Sequence, residues 1–293
     1  MNLMKYKHIF FAISLFFLVP GIFSLFRFGL KPAIDFTGGS LLEIQIISED
    51  ELKLASDEVI ESLSEIYEVG SIQSSGDNQY ILRGKAIDNE KKNSALDKVQ
   101  SIFESEVIEV RFETVGPTLG KELLFKTVSA IILVSVLITL YVWKQFSELK
   151  FGICAILAMF HDSLILLGSF SLLGHFFGIE VDVLFVTAIL TTLSFSIHDT
   201  IVVFDRIREL SRKHSRQKFE TIANIAVLET LSRSINNSVT IIVMLAALFL
   251  LGGESIRNFS LALLIGAVTG TYSSTFTAVP LLLKWDEIKG KRS

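Results

Sequence analysis

Between Leu190 and Arg208 the chain reads LTTLSFSIHDTIVVFDRIR, an apolar run that places a carboxylate, Asp199, beside His198 and follows it with Ile201 to Phe204. An acid within a membrane-spanning pattern costs roughly 2.5 to 3.5 kcal/mol on insertion scales, so it calls for a partner or a task. Thr192 and Ser196 precede it at i and i+4, with Asp199 at i+7, so the three share one helical face. The following apolar run, Leu231 to Leu251, carries Arg233, Asn237 and Thr240 at the same spacing. Two polar stripes on consecutive helices, one holding an acid and the other a base at a compatible depth, could form a pair made and broken by a proton. Removing one member of such a pair strands the other, at about 3 to 5 kcal/mol. Spacing alone leaves two blander readings open: Arg233 snorkelling to the interface, and a structural hydrogen bond from Asp199 to a neighbouring Ser or Thr.

A second acid, Asp162, stands next to His161 inside another apolar run. A His-Asp pair invites a metal or hydrolase reading, but no further ligands follow at usable spacing. Helix packing or proton conduction suits a buried charge better. Segment 28–122 carries no metal-ligand spacing, nucleophile arrangement or phosphate loop, so neither an enzyme nor a bound cofactor is expected.

The elements that position these residues follow from composition. Of 293 residues half are hydrophobic, 24 are Phe and 4 are Pro, and the mean hydropathy is +0.53. Apolar runs long enough to cross a core of roughly 30 Å occur at His8 to Phe26, Leu123 to Trp143, Phe151 to Phe177, Val181 to Phe204, Leu231 to Leu251 and Phe259 to Leu283. The first ends in Leu25, Phe26 and Arg27 rather than at a small-residue cleavage site, which reads as an uncleaved anchor. On the last, Gly266, Gly270, Ser273 and Thr277 form a small-residue face suited to close helix packing. The single cysteine, Cys154, lies in a span, so an intrachain disulfide is excluded.

Lys and Arg cluster at the amino terminus, after the second span, after the fourth and in the tail. By the positive-inside rule these lie on one side, with both termini cytoplasmic. The basic segment 205–230, with acids interleaved, reads as a topology signal in a cytoplasmic loop rather than a nucleic-acid patch. Segment 28–122 is then the extracytoplasmic domain; it holds 9 basic and 19 acidic residues, net −10. There Leu42, Ile44 and Ile46 alternate with Glu43 and Gln45, as in a strand. Glu49 to Tyr67 carries Leu52, Ala55, Val59, Leu63 and Ile66 at helical spacing; Ser71 to Ser75 and Gln79 to Gly84 flank a Gly76-Asp77-Asn78 turn; a helix over Asn89 to Glu104 and a strand over Val107 to Thr114 complete βαββαβ. The expected architecture is an α-helical polytopic membrane protein of six transmembrane helices, 1–27 and 123–293, with an extracytoplasmic α+β ferredoxin-like domain. Gly38-Gly39 and Gly116 to Gly120 read as turns.

Several ordered blocks are specific: Asp35-Phe36-Thr37-Gly38-Gly39, Val115-Gly116-Pro117-Thr118-Leu119-Gly120, His161-Asp162, and Ser196 through Arg208. Together, in this order and across the whole chain, they resemble the signature of the SecF family, in the resistance-nodulation-division (RND) superfamily. The resemblance implies an RND-like bundle in the inner membrane that works with SecD on the proton motive force, helping to draw preproteins from the SecYEG channel. It also implies that the fourth-span acid and an early fifth-span arginine, here Asp199 and Arg233, belong to the proton-coupling site, with another acid supplied by SecD. Family members usually carry Asn before that acid, where this chain has His198. A scaffold subunit whose charges only hold helices together, and half of a small-solute exporter, are the alternative readings.

Overall fold

The computed structural model describes residues 2–48, 57–76, 78–146, 148–214 and 216–290. Two compact units emerge, Pro32–Val128 and Met1–Lys31 joined with Ser129–Ser293.

In the first unit a short helix α2 (Ile34–Thr37) leads into β1 (Gly39–Ile47), α3 (Asp57–Leu63), β2 (Val69–Gly76), β3 (Gln79–Gly84), α4 (Asn89–Phe103) and β4 (Glu106–Val115). The strands form one antiparallel sheet in the order β2-β3-β1-β4, the ferredoxin-like arrangement. Leu42 pairs with Leu82 on one side and Phe112 on the other, so the alternating residues of β1 line a core with Leu63, Tyr67, Ala95 and Val99. Glu43, expected on the outer face, is buried: β1 is flanked on both edges, and Gln79 Nε2 donates to the Glu43 carboxylate across 2.7 Å. Asp88 caps α4 by accepting from the Lys91 amide, satisfying a free helix-end donor. The expected helical positions Leu52 and Ala55 and the turn residue Asp77 lie outside the described residues.

The second unit is a helix bundle: α1 (Lys7–Phe28), the continuation of α5 (Pro117–Gln145), α6 (Leu149–Phe177), α7 (Val183–Lys213), α8 (Phe219–Leu251), α9 (Glu254–Phe276) and α10 (Ala278–Gly290). Among the described residues, six helical stretches are long and apolar enough to cross a membrane, the last running from Ile256 to Ile288 through α9 and α10. Without a hydrophobic drive in lipid, close packing has to come from small residues. Accordingly α1, apolar all round, buries only Ser14, Gly21 and Ser24. Gly21 meets Gly168 of α6 backbone to backbone, and the Ser24 and Ser171 hydroxyls bond at 2.7 Å.

Segment 205–230 is not a loop: α7 continues to Lys213 and α8 starts at Phe219, leaving a short link. Ile207, Leu210, Ile222, Ala223, Ala226 and Val227 continue the apolar periodicity and are buried, which holds both helices together past the hydrophobic run. Their outer faces carry ion pairs, such as Arg206 with Glu229 at 2.6 Å and Lys213 with Glu209 at 2.6 Å. At the other end of the chain, the last span breaks at Thr277. Pro280 lacks an amide proton and its ring crowds the carbonyl four residues back, at Phe276, where α9 ends.

Candidate proton site among the packed helices

On α7 the expected face holds: Thr192, Ser196 and Asp199 are all buried, with Thr200 beside them. Asp199 is 6% exposed, and its Oδ2 accepts a hydrogen bond of 2.7 Å from the Ser234 hydroxyl on α8. The opposing face of α8 is thus Thr230, Ser234 and Ser238, not the stripe of Arg233, Asn237 and Thr240. Those three are exposed, one residue or about 100° around the helix. Serines allow the two backbones to approach, whereas Arg233 at the contact would hold them apart. Among the described residues Arg233 makes no ion pair with Asp199. His198 is exposed as well, on the outer side of α7.

Asp162, wholly buried on α6, belongs to the same set of helices. Its Oδ2 accepts from Ser196 Oγ of α7 at 2.6 Å and from Ser273 Oγ of α9 at 2.5 Å, while Oδ1 lies 2.9 Å from His161 Nδ1. The small face of α9 explains this convergence. Gly266 sits under Thr192, where a Cβ would meet Thr192 Oγ1 at 2.1 Å, and Gly270 sits against Phe195 and Ser196. The packing expected of that face is present, and Ser273 adds a hydrogen bond to it. Ser196, grouped with Asp199 by spacing, instead serves Asp162. Spacing overlooked Ser234; the Ser234–Ser238 repeat at i, i+4 was the available signal.

The glycine blocks meet within the sheet unit. Gly38 and Gly39 have φ of 72° and 131°, conformations that favour glycine. A Cβ on Gly38 would lie 2.7 Å from Pro117 Cα, one on Gly120 would lie 2.8 Å from the Gly38 nitrogen, and one on Gly39 would lie 2.6 Å from the Gly84 oxygen. Asp35, Phe36 and Thr37 form α2, with Phe36 buried and its carbonyl against Gly120. Gly116 has open space around it. These are contact points between the start of β1 and the start of α5, beyond the turns expected of them.

The chain combines a multi-spanning bundle that buries two acids, Asp162 and Asp199, with a split βαββαβ unit, and by comparison it falls in the class of SecD/SecF-type export membrane proteins. The family model "Protein export membrane protein SecD/SecF, C-terminal" matches residues 94–288, and "SecD/SecF GG Motif" matches 23–46. The protein translocase subunit SecF of Thermobaculum terrenum is 39% identical over 97% of this chain and 94% of its own length. That of Anaerolinea thermophila is 37% identical over 98% and 94%. Among solved structures, SecDF from Thermus thermophilus, described as a translocon-associated membrane protein, superposes with a TM-score of 0.84 at 30% identity. It covers 98% of this chain, which in turn spans 39% of that longer one. The chain belongs to the SecF family of protein translocase subunits and is a multi-pass membrane protein.

Proposed function

We propose that this chain is the SecF-type half of a proton-driven export device in the inner membrane, with both termini cytoplasmic. Together with a SecD-type partner it converts the proton motive force into movement of the Pro32–Val128 unit, promoting late steps of preprotein export from the SecYEG channel. No cofactor takes part; the proton is the coupling ion, and no chemical conversion of a substrate is assigned.

The observation that carries this reading is how Asp199 is held. A buried carboxylate locked to a cation loses several kcal/mol on giving up its charge, because the cation is stranded. Asp199 is instead held by the neutral Ser234 hydroxyl, which can donate to a carboxylate and equally accept from a carboxylic acid. Its charge can change without breaking an ion pair inside the bundle.

Arg233, next in sequence to the Ser234 that holds Asp199, carries its charge on the exposed face of α8. A cation on the outside of a membrane helix is costly in lipid, which supports a partner chain covering it and contributing an acid. Arg233 then acts as the switchable counter-ion across that interface. Each charge moved through the potential is worth about 2.3 kcal/mol per 100 mV, sufficient to bias a two-state element over repeated cycles.

The test is export in living cells carrying Asp199→Asn or Arg233→Met. Loss of export with normal protein levels and an intact complex supports the reading. Unimpaired export would reject it, and a complex that no longer assembles would favour a scaffold role.

A further inference from the structure

The His161–Asp162 pair has no part in the step assigned to Asp199, yet it is built as a proton-handling group. Asp162 is fully buried and accepts two serine hydroxyls on one oxygen, leaving the other for His161 Nδ1 at 2.9 Å. His161 is 8% exposed, and its Nε2 is buried without a hydrogen-bond partner. Thr192 Oγ1, on the turn of α7 before Ser196, is buried and unpartnered as well. An imidazole tied to a carboxylate through one nitrogen, with the other open, can take a proton on one side and release one on the other.

We propose that His161 and Asp162 form a second protonatable site that exchanges protons with Asp199 along α7, a proposal that rests on the role given to Asp199 above. A proton binds the lone pair of Nε2 while the Nδ1 proton passes to Asp162 Oδ1. The imidazole ends neutral, with its proton on Nε2, and Asp162 ends as the neutral acid. One proton is gained, no bond between heavy atoms changes, and the reverse step discharges the site. Ser196, which holds Asp162, is three residues before Asp199, so Asp162 on α6 meets α7 one turn before Asp199.

Besides the pair, α6 carries Lys150, Cys154 and His175, α7 carries His198, Asp199 and the charges from Asp205 to Lys213, and α9 carries Glu254, Arg257 and Tyr272, whose hydroxyl donates to the Phe10 carbonyl. On α1 the titratable side chains are Lys7, His8 and Arg27, at the helix ends, and on α10 Lys284, Asp286 and Glu287, in its second half. Among the described residues none of them bonds to the pair, so its state is set by Ser196, Ser273 and each other.

The test uses the full chain copurified with its partner and returned to lipid. Infrared difference spectra between acid and alkaline pH are expected to show a protonated-carboxyl band that disappears in Asp162→Asn and shifts its midpoint in His161→Gln. Asparagine can keep every contact, its oxygen accepting from both serines and its amide donating to Nδ1, so the variant is expected to melt like the parent. Proton-driven export in Asp162→Asn is expected to fall by about tenfold or more. Absence of a titrating band assignable to Asp162, or full export in Asp162→Asn while Asp199→Asn is inactive, would overturn the proposal. Full export in Asp199→Asn would instead reject the reading beneath it.

Discussion

Ser234 on α8 donates to the Asp199 carboxylate on α7 across 2.7 Å, while Arg233, the adjacent residue, faces away from the contact. Hydroxyl and guanidinium therefore have separable roles, one inside the bundle and one on its surface. Ser234→Ala leaves a buried carboxylate oxygen without its donor, at a cost of about 1–3 kcal/mol. Arg233→Met changes an exposed position of this chain and is expected to shift its stability by no more than about 0.5 kcal/mol. Thermal melting of the purified chain checks both, and copurification of the partner with Arg233→Met is expected to show an intact complex.

The glycine blocks separate in the same way. Gly120→Ala drives a methyl into the Gly38 and Phe36 backbone, and Gly38→Ala adds a positive φ to a clash with Pro117. The conformational part alone is about 1–2 kcal/mol, and backbone contacts have no side-chain rotation to relieve them. Both variants are expected to lower the unfolding free energy, Gly38→Ala by more than this. Gly116→Ala, with open space around it, is expected to melt like the parent.

At the crossing of α1 and α6, a Cβ on Gly168 would lie 2.4 Å from Gly21 Cα. Gly168→Ala forces the helices apart and is expected to cost about 1–3 kcal/mol, as overpacking does. Gly152→Ala, in the same helix with nothing near its Cβ, is expected to gain about 0.5–1 kcal/mol from helix propensity.

In the sheet unit, Tyr67 is buried and its hydroxyl donates to the Ser40 carbonyl at 2.7 Å and the Leu82 carbonyl at 3.3 Å. Burial pushes its phenol well above the ordinary range, against smaller opposing effects of Arg83 and the Gly84 backbone. A pKa raised on folding means that the folded unit keeps a proton the unfolded chain releases. Its stability is complete below the phenol's ordinary value of about 10 and declines as pH rises beyond it. Tyr67→Phe is expected to flatten that alkaline decline. Near-ultraviolet titration of the full chain, parent against variant, measures it.

The six spans and the βαββαβ order were legible because hydropathy and alternation are local properties. Where α7 and α8 end was less so: a hydropathy window stops at Asp205 and Arg206, although Ile207 and Leu210 keep the helical period. Arg233 was assigned to Asp199 because neutralising a charge within one chain is the cheapest solution a single sequence offers. Two polar repeats run side by side on α8, and their spacing cannot say which one meets α7; the small size of Ser234 and Ser238 decides it. Gly38 and Gly120 read as turns because their contact is formed only when β1 and β4 pair and bring the two segments together.

The measurement that bears most directly on proton coupling at Asp199 is export rate in inverted membrane vesicles with and without an imposed proton gradient, at constant nucleotide. The gradient is expected to speed export by the parent and to have no effect with Asp199→Asn at equal complex levels. An equal gradient response in both would contradict the assignment of Asp199 as the coupling acid.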